Sequence, residues 1–212
     1  MRLMVCGASG YVGSAAVALL HQQNISVIAP LRRSPAVPLA GAVVVDMTKP
    51  GQWPCWDHVA SLWLCLGASG GRGYAQVDHD LTVAIAREAV ARGVPQLQVI
   101  SSVGAHPRSR LSYLRSKGAM EEELWQLPLS SLVIWQPGPL TGRQPPRWSE
   151  RLLEPPLALL AALTGGRRSP WGAVTGQELA QAMLVLTQQP QARVRLGSGD
   201  IKALAAKARE IG

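Results

Sequence analysis

Tyr113 and Lys117 stand four residues apart in Leu111-Ser112-Tyr113-Leu114-Arg115-Ser116-Lys117. On a helix that spacing places both on one face. A phenol ordinarily ionises near pH ~10, and a neighbouring ammonium favours the phenolate and lowers that value. Such a tyrosine can give or take a proton at a carbonyl or alcohol oxygen. Upstream, Ser101 and Ser102 follow the apolar run Leu97–Ile100. Ser102, at the carboxyl end of a strand, is placed to hydrogen-bond the same oxygen, with Ser101 as the alternative.

A second constellation opens the chain. Gly7-Ala8-Ser9-Gly10-Tyr11-Val12-Gly13 has glycines at GxxGxxG spacing, between the apolar run Leu3–Cys6 and the helical pattern Ser14–Gln22. Gly7 makes the tight turn, Gly10 admits a pyrophosphate close to the backbone, and Gly13 lets helix and strand pack closely. The helix start then offers N–H groups and a positive dipole end to phosphate. The next run, Ile25–Ala29, ends at Pro30 and is followed by Leu31-Arg32-Arg33 rather than an acid. An acid there would hold a ribose 2′-hydroxyl, whereas arginine matches a phosphate. The expectation is NADP(H), its 2′-phosphate on Arg32 and Arg33. Asp46, after Val43-Val44-Val45, either accepts from the adenine amino group or caps the following turn. Leu66, Gly67 and Ala68 follow a fourth run, Leu62–Leu66, where small residues admit a cofactor close to the backbone.

These residues need a scaffold. Short apolar runs alternating with helical stretches imply a parallel sheet covered on both faces, and right-handed crossovers give a doubly wound α/β sheet, the Rossmann fold. Further helices are expected at Leu81–Ala91, Leu111–Leu127, Pro156–Leu163, Gly176–Thr187 and Ile201–Ile211, the last capped by Ser198 or Asp200. Leu132–Trp135 is a sixth strand and Val194–Leu196 a small one. The 212 residues form one domain. Within it, 138–172 holds five arginines and two tryptophans and reads as a variable, loop-rich segment facing the substrate.

Composition narrows the class. Apolar residues make up 47% and charged residues 16%, which excludes disorder and coiled coil. The net charge of +8 suits an anionic partner. The basic residues are scattered, however, with tight pairs only at Arg32-Arg33 and Arg167-Arg168, so nucleic acid is not the expected partner. Cys6, Cys55 and Cys65 are an odd number without metal spacing and read as free thiols in a reducing compartment. No leader is expected, because Met1–Cys6 reads as part of the fold, and no apolar run reaches the ~20 residues of a membrane span. A cytoplasmic protein without a membrane, a monomer or homodimer, is expected.

With these motifs in place, the sequence resembles the atypical short-chain dehydrogenase/reductase family. The resemblance runs through GASGYVG, LCLGASGG, VDHDLTVAIAREA, ISSVGAHPRSRLSYLRSKGAMEEEL, IWQPGPLTG and VTGQELAQAML. The block Ile100–Leu124 is most similar to the Tat-interacting-protein-like oxidoreductase branch. The resemblance implies a Rossmann fold, NADPH and a Ser102–Tyr113–Lys117 centre, with Lys117 also holding the nicotinamide ribose. It further implies Gln136, Pro137, Gly138 and Leu140 beside the nicotinamide, and Arg143 within reach of a cofactor phosphate. Two positions depart from the family pattern. Gln136 replaces the usual Arg, and Asp78, His79 and Asp80 stand where longer reductases use Asn, Asp80 being read as a solvated helix residue.

Glu121-Glu122-Glu123 reads as a solvated helix face. Trp148, Trp171 and Leu157–Leu163 would wall a substrate pocket or a dimer contact, and Arg167-Arg168 would face solvent. The expected function is NADP(H)-dependent hydride transfer to or from a small carbonyl, alcohol or quinone-like molecule. The alternative is a non-catalytic NADPH-sensing regulator that binds a protein partner.

Overall fold

The computed structural model describes residues 1–35, 38–49, 52–67, 76–142 and 172–211. The first apolar run is β1 (Arg2–Cys6), and its side chains alternate between the sheet faces. Leu3 and Val5 enter one buried cluster, Met4 and Cys6 the other. Six further strands complete its sheet, every pairing parallel: β2 (Ser26–Leu31), β3 (Ala42–Val44), β4 (Val59–Leu64), β5 (Gln96–Ile100), β6 (Ser131–Gln136) and β9 (Arg193–Gly197). Their order is β3-β2-β1-β4-β5-β6-β9. The doubly wound α/β sheet expected from the strand pattern is therefore the fold. The order reverses between β1 and β4, and the crevice outside the carboxyl ends of those two strands is where such sheets take ligands.

The helices α1 (Tyr11–Gln22), α4 (Gly176–Gln188) and α5 (Ser198–Ile211) belong to one face, with α1 and α5 both packed against α4. On this side Val12, Ala16 and Leu20 meet Leu179, Met183 and Leu186 over Trp63 and Trp135. The other face carries α2 (Thr82–Ala91) and α3 (Ser112–Gln126), which bring Val83, Ile85, Met120 and Leu124 onto Leu62, Leu97, Leu132 and Ile134. Helix α4 starts with a capping box. Thr175 Oγ1 accepts from Glu178 N at 3.1 Å, and Glu178 Oε2 accepts from Thr175 N at 2.8 Å, an arrangement that stabilises by about 1 kcal/mol.

Several boundaries differ from the sequence reading. Pro30 does not stop β2. The ladder to β1 ends at Ile28 and the strand then pairs with β3, so the missing N–H of Pro30 breaks no bond. Strand β4 ends at Leu64, and Cys65 to Gly67 continue beyond it. The expected Val194–Leu196 strand is the full sheet edge β9, and α2 is preceded by a π-turn, Gln76–Leu81. A short parallel pair unanticipated from sequence joins β7 (Leu140–Thr141) to β8 (Val174–Thr175). Of the two residues expected as the cap, Asp200 acts at the helix start and Ser198 serves the loop after β6 instead. Asp200 Oδ2 accepts from Gly197 N at 3.0 Å, while Ser198 Oγ accepts from Gly138 N at 2.8 Å. The helix expected at Pro156–Leu163 lies outside the described residues, as do Trp148, Trp171 and Arg167-Arg168.

Candidate functional site

The turn after β1 is shaped by two glycines. Gly7 has φ +86°, and a Cβ there would collide with the Cys65 carbonyl beyond β4. A Cβ on Gly13 would collide with the Gly7 carbonyl, so α1 starts hard against the strand end. Gly10 is the N-cap of α1. No side chain caps the helix and its first turn holds no acid, which leaves the positive end of the helix open to an anion.

The other four residues of the motif serve different ends. Ala8 and Val12 are buried in the core, so only their backbone can face a ligand. Ser9 is exposed. Tyr11 is a strut: its hydroxyl donates to Thr141 O at 2.5 Å and accepts from Gly176 N at 3.2 Å, tying the start of α1 to β7 and α4.

Ser9 lines a cleft of about 580 Å³ together with Leu31, Arg32, Arg33, Ser34, Pro35 and Asp46. Four residues singled out separately in the sequence thus converge at the carboxyl end of β2. Arg32 and Arg33 are exposed, and among the described residues neither has an ion-pair partner. Asp46 caps the following turn. Its Oδ1 accepts from Thr48 Oγ1 at 2.6 Å and Thr48 N at 3.0 Å, and Lys49 Nζ lies 3.6 Å from Oδ2. The Thr48 bonds, chiefly the hydroxyl, hold the Asp46 carboxyl below the usual aspartate value.

Beside this cleft, at the end of β4, Leu66 packs on the core and Gly67 is exposed. Ala68 and Arg143 lie outside the described residues.

At the end of β5, Ser102 is half-buried. Its Oγ makes only a long contact, 3.3 Å, to Val103 O. Tyr113 is in the first turn of α3 and is 36% exposed, while Lys117, one turn on, is 2% exposed. Lys117 Nζ donates to Ile100 O at 3.3 Å. A buried ammonium needs such acceptors, and this one directs it to the end of β5.

Ser101 differs from its neighbour. It is 3% exposed and its Oγ donates to Glu121 Oε1 at 2.5 Å. Gln136 Nε2 donates to both Glu121 oxygens at 3.0 Å, and Arg195 Nε donates to Oε2 at 3.0 Å. The reading of Glu121 as solvated helix surface is therefore corrected. It is 3% exposed and charge-paired, because it shares the inward face of α3 with Lys117, Met120 and Leu124. Glu123 is not simply solvated either, since it pairs with Arg87 at 2.8 Å and His79 at 3.0 Å, and Asp80 holds the other His79 nitrogen at 2.8 Å.

Beyond β6, the Pro137 carbonyl accepts from Val103 N at 2.9 Å, the Gly138 N–H is engaged by Ser198, and Leu140 opens β7.

The architecture, with a glycine turn facing a switch point, is the Rossmann fold. Solved structures share this fold. MoeE5 in complex with UDP-glucose and NAD superposes over 100% of this chain and 82% of its own, with a TM-score of 0.71 and 17% identity. A putative NAD-dependent epimerase/dehydratase from Bacillus halodurans covers 98% of this chain and 99% of its own at TM-score 0.68 and 20% identity. No family model matches the sequence.

Curated relatives do match. The chain is 30% identical to the mitochondrial protein FMP52 of Saccharomyces cerevisiae over 161 residues, 68% of each chain. It is 31% identical to that of Eremothecium gossypii over 155 residues, again 68% of each. The chain belongs to the FMP52 family. Those relatives are named as mitochondrial, which overturns the expected cytoplasmic address. The physical basis of that expectation was insufficient, because free thiols exclude only oxidising compartments. Among the described residues no helix is long and apolar enough to cross a membrane.

Proposed function

We propose that the protein is an NADP(H)-dependent oxidoreductase acting on a small carbonyl or alcohol through Ser102, Tyr113 and Lys117. The observation that carries this reading is the cleft where Ser9, Arg32, Arg33 and Asp46 meet. Its two guanidinium groups suit the 2′-phosphate that separates NADPH from NADH. The Gly7–Gly13 turn and the start of α1 would take the pyrophosphate, with Leu66, Gly67 and Ala68 alongside. Asp46, held by Thr48, would border the adenine end. Lys117 and Tyr113 would hold the nicotinamide ribose, beside Pro137, Gly138 and Leu140, with Arg143 as a further phosphate contact. When bound, the dihydronicotinamide supplies the hydride. Tyr113, partly exposed, would give its proton to the carbonyl oxygen, and buried Lys117 would favour the phenolate that remains. Ser102 is the better-placed serine, because the Ser101 hydroxyl is committed to Glu121.

The rim favours an anionic substrate. Residues 101–120 contain Arg108, Arg110, Arg115 and Lys117 and no acid, and the three arginines are exposed. The setting carried by the relatives' names is mitochondrial. The experiment is NADPH oxidation with carbonyl and quinone compounds, each with and without a phosphate or carboxylate. Turnover, preferring the anionic members and lost in Tyr113→Phe with NADPH binding retained, supports the reading. No turnover across the panel sinks it.

A second reading, a non-catalytic NADPH-sensing protein that binds a protein partner, is favoured by Gln136, whose amide points inward to Glu121. Partner capture that follows the NADPH/NADP⁺ ratio and survives Tyr113→Phe would select it.

A further inference from the structure

We infer that Glu121 is a positioning residue for the Ser102–Tyr113–Lys117 centre, held by Arg195 from the edge strand β9. This deepens the oxidoreductase reading and rests on it for its catalytic consequence.

Tyr113, Lys117 and Glu121 are spaced i, i+4, i+8 and so follow one face of α3. Their exposures of 36%, 2% and 3% lead from the surface into the core. Successive turns of that face grip successive residues at the end of β5. Lys117 Nζ holds the Ile100 carbonyl, and Glu121 holds the Ser101 hydroxyl. Ser102 is the next residue, so these two clamps fix where its hydroxyl stands relative to Tyr113. The backbone of Ser101 is fixed as well, its N–H donating to Trp135 O at 2.7 Å.

A buried carboxylate is tolerated when it is paired and its oxygens are hydrogen-bonded. Ser101, Gln136 and Arg195 meet that need from the ends of β5 and β6 and from β9. Arg195 is itself located by stacking, its guanidinium 4.0 Å from the centroid of the Trp125 ring on α3. The neighbouring Arg193 is engaged elsewhere, donating to Trp125 O, Leu127 O and Leu129 O at the end of α3. Among the described residues, Lys117 lies within this face, His106, Arg108, Arg110 and Arg115 lie about the start of α3, and His79, Asp80 and Arg87 reach its outer side through Glu123.

The test pairs two substitutions of opposite charge effect, Glu121→Gln and Arg195→Gln. The chain has three tyrosines, so the Tyr113 phenolate can be isolated by ultraviolet titration against Tyr113→Phe. Removing the Glu121 charge two helical turns away lowers the Tyr113 midpoint by roughly 0.5–1 pH unit. Arg195→Gln leaves that charge uncompensated and raises the midpoint, a reversal of sign that mere loosening of the fold does not produce. In turnover, Glu121→Gln lowers kcat about tenfold or more, since misplacing a catalytic group costs that and more, with NADPH affinity unchanged. A Tyr113 midpoint that stays put, or moves the same way in both variants, overturns the proposal. If Glu121→Gln does not fold, the upward shift in the more exposed Arg195→Gln decides. A wild type without turnover defeats the oxidoreductase reading alone and leaves the paired titration to decide the coupling.

Discussion

Thr187 joins α4 to the middle of the sheet through one hydroxyl, and replacing it should cost far more than its size implies. Oγ1 accepts from Trp63 Nε1 at 3.1 Å and from Gln98 Nε2 at 2.8 Å, and donates to Met183 O at 2.9 Å. A hydroxyl has one donor and two acceptor sites, so this one is fully used. Gln98 continues the network, donating to Met183 O at 2.9 Å and accepting from Trp135 Nε1 at 3.0 Å. Thr187→Val keeps the shape and removes the oxygen. The Met183 carbonyl retains Gln98, but the indole N–H of fully buried Trp63 and one N–H of Gln98 lose their acceptor. At ~1–3 kcal/mol for each of the two buried orphans, the loss is about 2–6 kcal/mol. Thr187→Ser keeps every hydrogen bond and loses one methyl, about 1 kcal/mol. In urea, with a slope of ~2–3 kcal/mol/M, the valine variant should unfold at a midpoint ~0.3–2.5 M below the serine variant. A valine midpoint equal to or above that of serine would refute the network's worth. Gln98 lies on β5, the strand that ends in Ile100 and leads into Ser101 and Ser102, so the same loss should loosen the candidate centre.

The cysteines predict selective reactivity. Burial pushes the Cys6 thiol well above its ordinary range and the Cys65 thiol up to about 12, while Cys55 is exposed. With a disulfide reagent near neutral pH one thiol of the three should react quickly in the folded protein and all three after denaturation; three fast thiols in the folded state would contradict this. Asp46 should remain ionised on acidification past the usual aspartate value of 3.8, because Thr48 lowers its pKa. Its contribution to folding is present above the unfolded value and lost only as pH falls through the lower folded one. Carboxyl carbon NMR checks this, with Thr48→Ala returning the midpoint toward 3.8.

The cleft residues were legible as candidates because they depend on local chemistry. A strand end, glycines at fixed spacing and the residues after the second strand sit close together in sequence, and the fold brings Ser9 to Arg32, Arg33 and Asp46. Glu121 was missed because three consecutive glutamates look like a hydrated surface. Helical periodicity held the signal: Lys117, Met120, Glu121 and Leu124 fall at i, i+3, i+4 and i+7, which is a buried stripe. Its partner Arg195 is seventy-four residues away. No local pattern announces such a pair, which only the pairing of β6 with β9 brings together. Pro30 misled for a related reason, since a proline breaks a strand only where its N–H would have had a partner.

The most direct test of the account is a titration with NADPH and, separately, NADH, followed through the fluorescence of the seven tryptophans. Wild type is compared with Arg32→Ala/Arg33→Ala. A hydrogen bond to a charged group contributes ~1.5–3 kcal/mol, and ~1.4 kcal/mol is a factor of ten. The account predicts NADPH binding at least ~10-fold tighter than NADH in wild type, with that preference lost in the double variant. Binding of neither nucleotide, or equal affinities unchanged by the two substitutions, would contradict it.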